Sequence, residues 1–135
     1  YLENDDLCWR VKKSKEKIFV YANSLISHLG GKTVDKKYYN EIEFSRNWHW
    51  NWSKFYFRKK HYGFFLAIVP GLLTFFKAVF KSSYFFIVNN KFKSKIHYCR
   101  ASGFINAALN KKSWFRPRLD WFNCSVDIFS ANDEN

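Results

Sequence analysis

KIFVYANSLISHLGG, residues 17–31, is the stretch on which the fold class turns. Its first six residues alternate and are β-branched or aromatic, the pattern of a strand. The next nine read as a second short extended piece, ended by the Gly30–Gly31 pair. Helical patterns flank it on both sides. Upstream, ENDDLCWR (residues 3–10) sets three carboxylates ahead of an apolar run. Asp5 and Asp6 suit a helix N-terminus, where free backbone N–H groups favour anions. Leu7 and Val11 lie four apart, as do Asp6 and Arg10, so a short helix over about 5–15 is expected. Downstream, from about Lys37 to Tyr62, Phe44, Trp48, Trp52 and Phe55 fall on one helical face. Trp50 and Phe57 lie on another face, among Arg46, Lys54, Arg58, Lys59 and Lys60. Helix, strands, then helix predict an α/β class. Residues 1–36 form the edge of an α/β domain, 37–119 a mainly helical extension, and 120–135 an acidic, frayed tail.

The extension contains GFFLAIVPGLLTFFKAVFKSSYFFIV, residues 63–88. The uninterrupted apolar run from Phe64 to Phe76 is about 20 Å long as a helix, against roughly 30 Å for a bilayer core. Pro70–Gly71 divides it, and Lys77 and Lys81 close it. We therefore expect an in-plane or re-entrant helical hairpin rather than a span. KFKSKIHYCRASGFINAALNKKSWFRP (91–117) reads as one more amphipathic helix followed by a basic loop.

Charge is distributed by region. Residues 44–119 carry 15 Lys and Arg and no Asp or Glu, whereas the last 16 residues carry four acids and no base. An acid-free stretch of that length cannot balance itself and calls for a polyanionic partner. Nucleic acid, anionic lipid headgroups and sugar diphosphates all qualify. Cys8, Cys99 and Cys124 are widely spaced and odd in number, which argues against a disulfide framework and fits a reducing setting. No Met is present, and an acidic motif stands at the very start. We expect a C-terminal piece of a longer polypeptide.

The order ENDDLCWR, KIFVYANSLISHLGG, RNWHWNWSKFYFRKKHYG resembles the C-terminal part of family 2 glycosyltransferases. Those enzymes have a GT-A (nucleotide-diphospho-sugar transferase) fold, and the likeness is to the bacterial rhamnosyltransferase-like members that build cell-surface polysaccharides. The likeness covers residues 2–31 best; the aromatic-basic region and SGFINAALNKKSWFRP follow more loosely. It implies a partial GT-A edge followed by a helical C-terminal extension, and the unopposed charges and apolar run of that extension predict peripheral or re-entrant attachment to an anionic membrane at the cytoplasmic face. It also implies a nucleotide-sugar donor and a lipid-linked or polysaccharide acceptor.

Inverting sugar transfer requires a base for the acceptor hydroxyl and a cation for the departing diphosphate. The position most often credited with the base in the family is Asn4 here, and an amide cannot accept the proton. The role passes to Glu3 or Asp6, with Glu3 preferred because Asp6 is committed to capping or to Arg10. The resemblance places His28 at a divalent metal, Mg or Mn, beside the diphosphate, and Gly30 and Gly31 beneath a phosphate. The remaining metal ligands would come from an Asp-x-Asp motif, which this chain lacks. Arg10, Trp48 and His49 are the further substrate-binding candidates, and Arg58, Lys59 and Lys60 the candidates for lipid-phosphate contact. The plainer alternatives are that the acids only cap a helix, that His28 is a loop residue, that the Trp run packs a core or lies at headgroup level, and that 58–63 is a solvated basic face.

Two other functions fit part of the pattern. A basic aromatic module could stack single-stranded nucleic acid, but no nucleic-acid groove needs GFFLAIVPGLLTFF, and no RRM or zinc-finger signature is present. A metal-dependent nuclease built on Glu3, Asp5 and Asp6 is the third.

Overall fold

The computed structural model describes residues 1–21, 23 and 35–117. Four helices account for most of them: α1 (Glu3–Lys13), α2 (Tyr39–Tyr62), α3 (Phe64–Ile87) and α4 (Lys91–Ala108), with a 3-10 turn at Lys36–Tyr38 ahead of α2. No strand occurs among the described residues, so the expected α/β edge is not present there and this part of the chain is mainly helical. Residues 17–21 are irregular, and Phe19 and Val20 are 84% and 91% exposed. Period-two patterning marks a ribbon with a face to bury, but a strand forms only where another strand accepts its backbone bonds. None is available here among the described residues. His28, Gly30, Gly31 and the acidic tail lie outside the described residues.

α1 begins at Glu3 rather than Asp5. Leu2, at φ 66°, stands at its N-cap without a side-chain cap bond. Glu3, Asp5 and Asp6 all occupy the first turn and Arg10, Lys12 and Lys13 the last, an arrangement the helix dipole favours at both ends.

α2, α3 and α4 form an up-down-up bundle. α2 turns directly into α3 through Gly63, whose φ of 86° suits a residue without Cβ. α3 and α4 run antiparallel, and Ser82 and Ser94 each donate their hydroxyl to the other's carbonyl, at 3.0 and 2.9 Å. α2 and α4 run parallel, with Asn47 meeting Arg100 and Trp48 meeting Ser102.

The face expected from the spacing of Phe44, Trp48, Trp52 and Phe55 is the one α2 turns inward. Phe44 and fully buried Trp48 pack with Cys99, Phe92, Ile96 and Phe115, while Phe55 packs with Ala67, Phe104 and Ala107. Close approach depends on small residues. A Cβ on Gly103 would lie 2.3 Å from the Trp48 carbonyl oxygen, and one on Gly71 would lie 2.2 Å from the Phe104 ring.

That packing explains why Pro70–Gly71 does not make the expected hairpin. α3 is one helix of 24 residues passing through both and through Lys77 and Lys81. Pro70 removes one backbone donor, Thr74 turns its hydroxyl onto the Gly71 carbonyl at 2.7 Å, and α4 packs along the flank that Gly71 opens. At about 1.5 Å per residue α3 is about 36 Å long, and it is long and apolar enough to cross a membrane. One side stays uncovered: Phe65, Leu66, Val69, Leu73, Phe76 and Phe80 are between 62% and 82% exposed.

Candidate functional site

α1 is fastened across the C-terminal half of α2 by one carboxylate. Asp6 Oδ1 accepts from Lys60 Nζ and from His61 Nε2, both at 2.7 Å, and Oδ2 receives Arg10 Nε at 3.2 Å. Hydrogen bonds from Lys60 and then His61 hold the Asp6 carboxyl down at about 2. Rings extend the contact, since Trp9 lies 5.4 Å from His61 and 5.1 Å from Tyr62. Asp6 is therefore neither cap nor free base; it is the joint between two helices.

The joint leaves a cleft of about 370 Å³ lined by Glu3, Asp6, His49, Trp52, Tyr56 and Lys60, among others. Trp52 and Tyr56, one turn apart, stack at 5.0 Å and 14° and together wall one side of the cleft. The Trp52 indole is fixed by donating to the Lys111 carbonyl at 3.0 Å. Glu3 stands at the rim with its side chain 76% exposed. Its carboxyl is lowered, chiefly by a hydrogen bond with its own backbone.

His49 closes the inner end, and its partners fix its tautomer. Nε2 lies 2.8 Å from the Phe115 carbonyl, which can only accept, so Nε2 carries the proton. Nδ1 then accepts from Ser113 Oγ at 2.8 Å. Burial pushes the imidazole below its usual value, and nearby Arg116 adds to this against the pull of the Phe115 carbonyl. With both nitrogens engaged, His49 anchors residues 113–115 and presents only its ring to the cleft.

The cleft thus gathers Glu3, Asp6, His49 and Lys60 of the sequence candidates. Others fall elsewhere. Trp48 is buried core, donating to Ser102 Oγ at 3.1 Å and stacked on Phe115, so it does not reach a ligand. Arg10 is exposed on α1 and spent on Asp6. Arg58, Lys59 and Lys60 do not act as one patch: Lys59 turns to Asn110 and Lys60 to Asp6, while Arg58 is half-buried on α2.

No trio of His, Cys, Asp or Glu gathers for a metal among the described residues. Asp6 sits among three cationic or imidazole donors, a setting that does not fit a divalent cation, and the nuclease built on Glu3, Asp5 and Asp6 loses its footing with it. A metal at His28 would need ligands outside the described residues. Sequence reading missed Tyr56, Ser113 and the wall role of Trp52. The i,i+4 spacing of Trp52 and Tyr56 was a usable signal; the return of Ser113 to His49 had none. No protein-family profile, curated protein or solved structure matches the chain.

Proposed function

We propose that this chain is the acceptor-binding, membrane-facing part of a glycosyltransferase that moves a sugar from a nucleotide-sugar donor to a lipid-linked or polysaccharide acceptor. The observation that carries the reading is the cleft. It sets a carboxylate at its rim beside a stacked Trp52–Tyr56 wall, and pyranose rings pack on such faces through their C–H surfaces. Lys60 adds a donor, and Asp6 holds α1 in place. Glu3 is the base in this reading on access: Asp6 is taken up by Lys60, His61 and Arg10, whereas Glu3, its carboxyl also lowered, is exposed and open to an incoming hydroxyl. The nucleotide sugar is held by residues outside the described ones.

The membrane part of the reading rests on α3. α2 and α4 flank it along its length and carry Arg46, Lys54, Arg58, Lys95 and Arg100. Crossing a bilayer would drag these charges into hydrocarbon, at roughly 2.5–3.5 kcal/mol each at the centre. Lying in the interface buries the exposed stripe and leaves them in water or against anionic headgroups. We place the bundle peripherally at the cytoplasmic face, with α3 in the plane. The exposed stripe argues against a nucleic-acid module, which would bury cations and not Phe and Leu.

The test is transfer from a panel of radiolabelled nucleotide sugars by the enzyme joined to its nucleotide-binding segment. Glu3→Gln should lower kcat by about 10²–10⁴-fold, as loss of a general base does, while Asp5→Asn changes it little. Equal and mild effects would return Glu3 to a merely helix-stabilising role.

A further inference from the structure

A second site lies on the opposite flank of α2. Lys77 and Lys81, one turn apart on α3, face His97 and Arg100 of α4 across a cavity of about 340 Å³ walled by Trp50 and Asn51. No carboxylate lines it. Among the described residues, neither Lys77 nor Lys81 makes an ion pair or hydrogen bond. Arg100 Nε donates to Asn47 Oδ1 at 2.7 Å, which fixes the guanidinium and leaves its two terminal nitrogens to spare. The acids nearest in sequence are taken, Glu43 by Arg46 at 2.6 Å and Glu41 by Lys95 at 3.5 Å. Three converging cations without a counter-ion form an anion site.

The cavity does not end there. Lys81, His97 and Arg100 also line a second cavity of about 620 Å³ that continues between Phe80, Tyr84, Phe85 and Ile96, with the Lys93 ammonium lying 5.4 Å over the Phe85 ring at its edge. Phe85 stacks on His97 at 5.6 Å and 2°, so the cationic pocket passes directly into an aromatic trough. Phe80 borders that trough and also belongs to the uncovered stripe of α3. A ligand filling both cavities is therefore anionic at one end and hydrocarbon at the other.

We propose that this groove seats a lipid phosphate, its phosphate among Lys77, Lys81 and Arg100 and its chain along Phe80, Tyr84, Phe85 and Ile96. Two lysines supply point charges and the arginine a planar fork, together enough donors for the oxygens of a phosphomonoester or diphosphate. The positive field is already felt by His97, which burial and then Arg100 and Lys81 hold below its usual value. The inference is independent of sugar transfer, because it uses a different face of the bundle and different residues.

Calorimetric titration of the full chain with dodecyl phosphate below its micellar concentration tests it, with inorganic phosphate and dodecyl maltoside as the two half-ligands. Dodecyl phosphate should bind at least about tenfold more tightly than either half alone, because both ends contribute. Lys77→Gln with Lys81→Gln should weaken it by about tenfold or more, whereas Lys111→Gln with Lys112→Gln, which removes the same charge outside the groove, should change it less than about twofold. Phe80→Ser should weaken dodecyl phosphate and leave inorganic phosphate unchanged. All four side chains changed in the double variants are exposed, and circular dichroism of each variant against the parent checks that it folds. The proposal is overturned if the two double variants lose equally, or if dodecyl maltoside binds as well as the phosphate. Inorganic phosphate binding as tightly as dodecyl phosphate would overturn it too, since the source would then be a free anion.

Discussion

Gly103→Ala puts propensity and packing in direct opposition. Gly103 lies inside α4, and replacing an interior helical glycine by alanine gains roughly 0.8–1 kcal/mol of intrinsic helix stability. Here the new Cβ would come 2.3 Å from the Trp48 carbonyl oxygen and 3.1 Å from its carbon. Both are backbone atoms of α2, which no rotamer change can move aside. Relief requires α2 and α4 to part by about 1 Å at their closest point, and overpacking of this kind costs about 1–3 kcal/mol. The same shift stretches the 3.1 Å bond from Trp48 Nε1 to Ser102 and loosens Phe44, Cys99 and Phe115 around the indole. The costs exceed the gain by about 1 kcal/mol, or roughly 4–8 °C in Tm for a unit of this size. Thermal and urea unfolding followed by far-UV circular dichroism measures it. Gly71→Ala is the companion: its obstacle is the Phe104 ring, a side chain, so its loss should be smaller. A Gly103→Ala protein more stable than the parent would refute the reasoning, for it would mean the α2–α4 contact is not close at that point.

Two further outcomes concern pH. Asp6 has its carboxyl lowered from 3.8 to about 2 by Lys60 and His61. Its grip on α1 should be complete above about pH 4 and lost as pH falls through about 2, because protonation removes the acceptor charge. Asp6→Asn should abolish that transition in Trp9 fluorescence, and a variant that kept it would disprove the assignment. His49 has the opposite chemistry and the same direction: its value is lowered by burial, so the fold carries it neutral. Its anchoring of residues 113–115 should be full above about pH 6.5 and weaken on acidification below that, with nitrogen NMR showing the Nε2-protonated tautomer at neutral pH. An Nδ1-protonated ring would contradict the bond to Phe115.

The helical part of the fold was legible because its signal is local. Phe44, Trp48, Trp52 and Phe55 recur at helical spacing, and three of the four are buried where that spacing says. The strand expected over residues 17–22 is absent from their described part, 17–21, because alternation reports which side chains could share a face, and not whether another strand is there to pair with. Pro70–Gly71 misled for a related reason: a local breaker was overridden by the tertiary need for Phe104 to sit against a residue without Cβ. At the site, Glu3, Asp6 and His49 were legible as chemistry-bearing residues, but Trp48 and Trp52 were not separable by pattern. They share one helical face, and only the close approach of α4 at Gly103 decides which is covered. The pairing of Asp6 with Lys60 and His61 spans more than 50 residues and left no mark in the sequence.

The placement of α3 in the membrane surface is tested most directly by spin-label depth. Single cysteines at Phe65, Leu73, Phe80 and Ile87 sample one exposed side of α3 over about 33 Å of helix. Cys8 and Cys124 are changed to Ser, while Cys99 stays, since it is buried and its thiol is pushed up to about 11 by that burial. On anionic vesicles, oxygen and nickel accessibility by electron paramagnetic resonance should put all four labels at one shallow depth, within a few ångströms of each other and below the phosphates. A graded profile, shallow at Phe65 and Ile87 and deepest near Leu73 and Phe80, would mean that α3 crosses the bilayer. Four labels fully accessible to nickel would mean that it never enters.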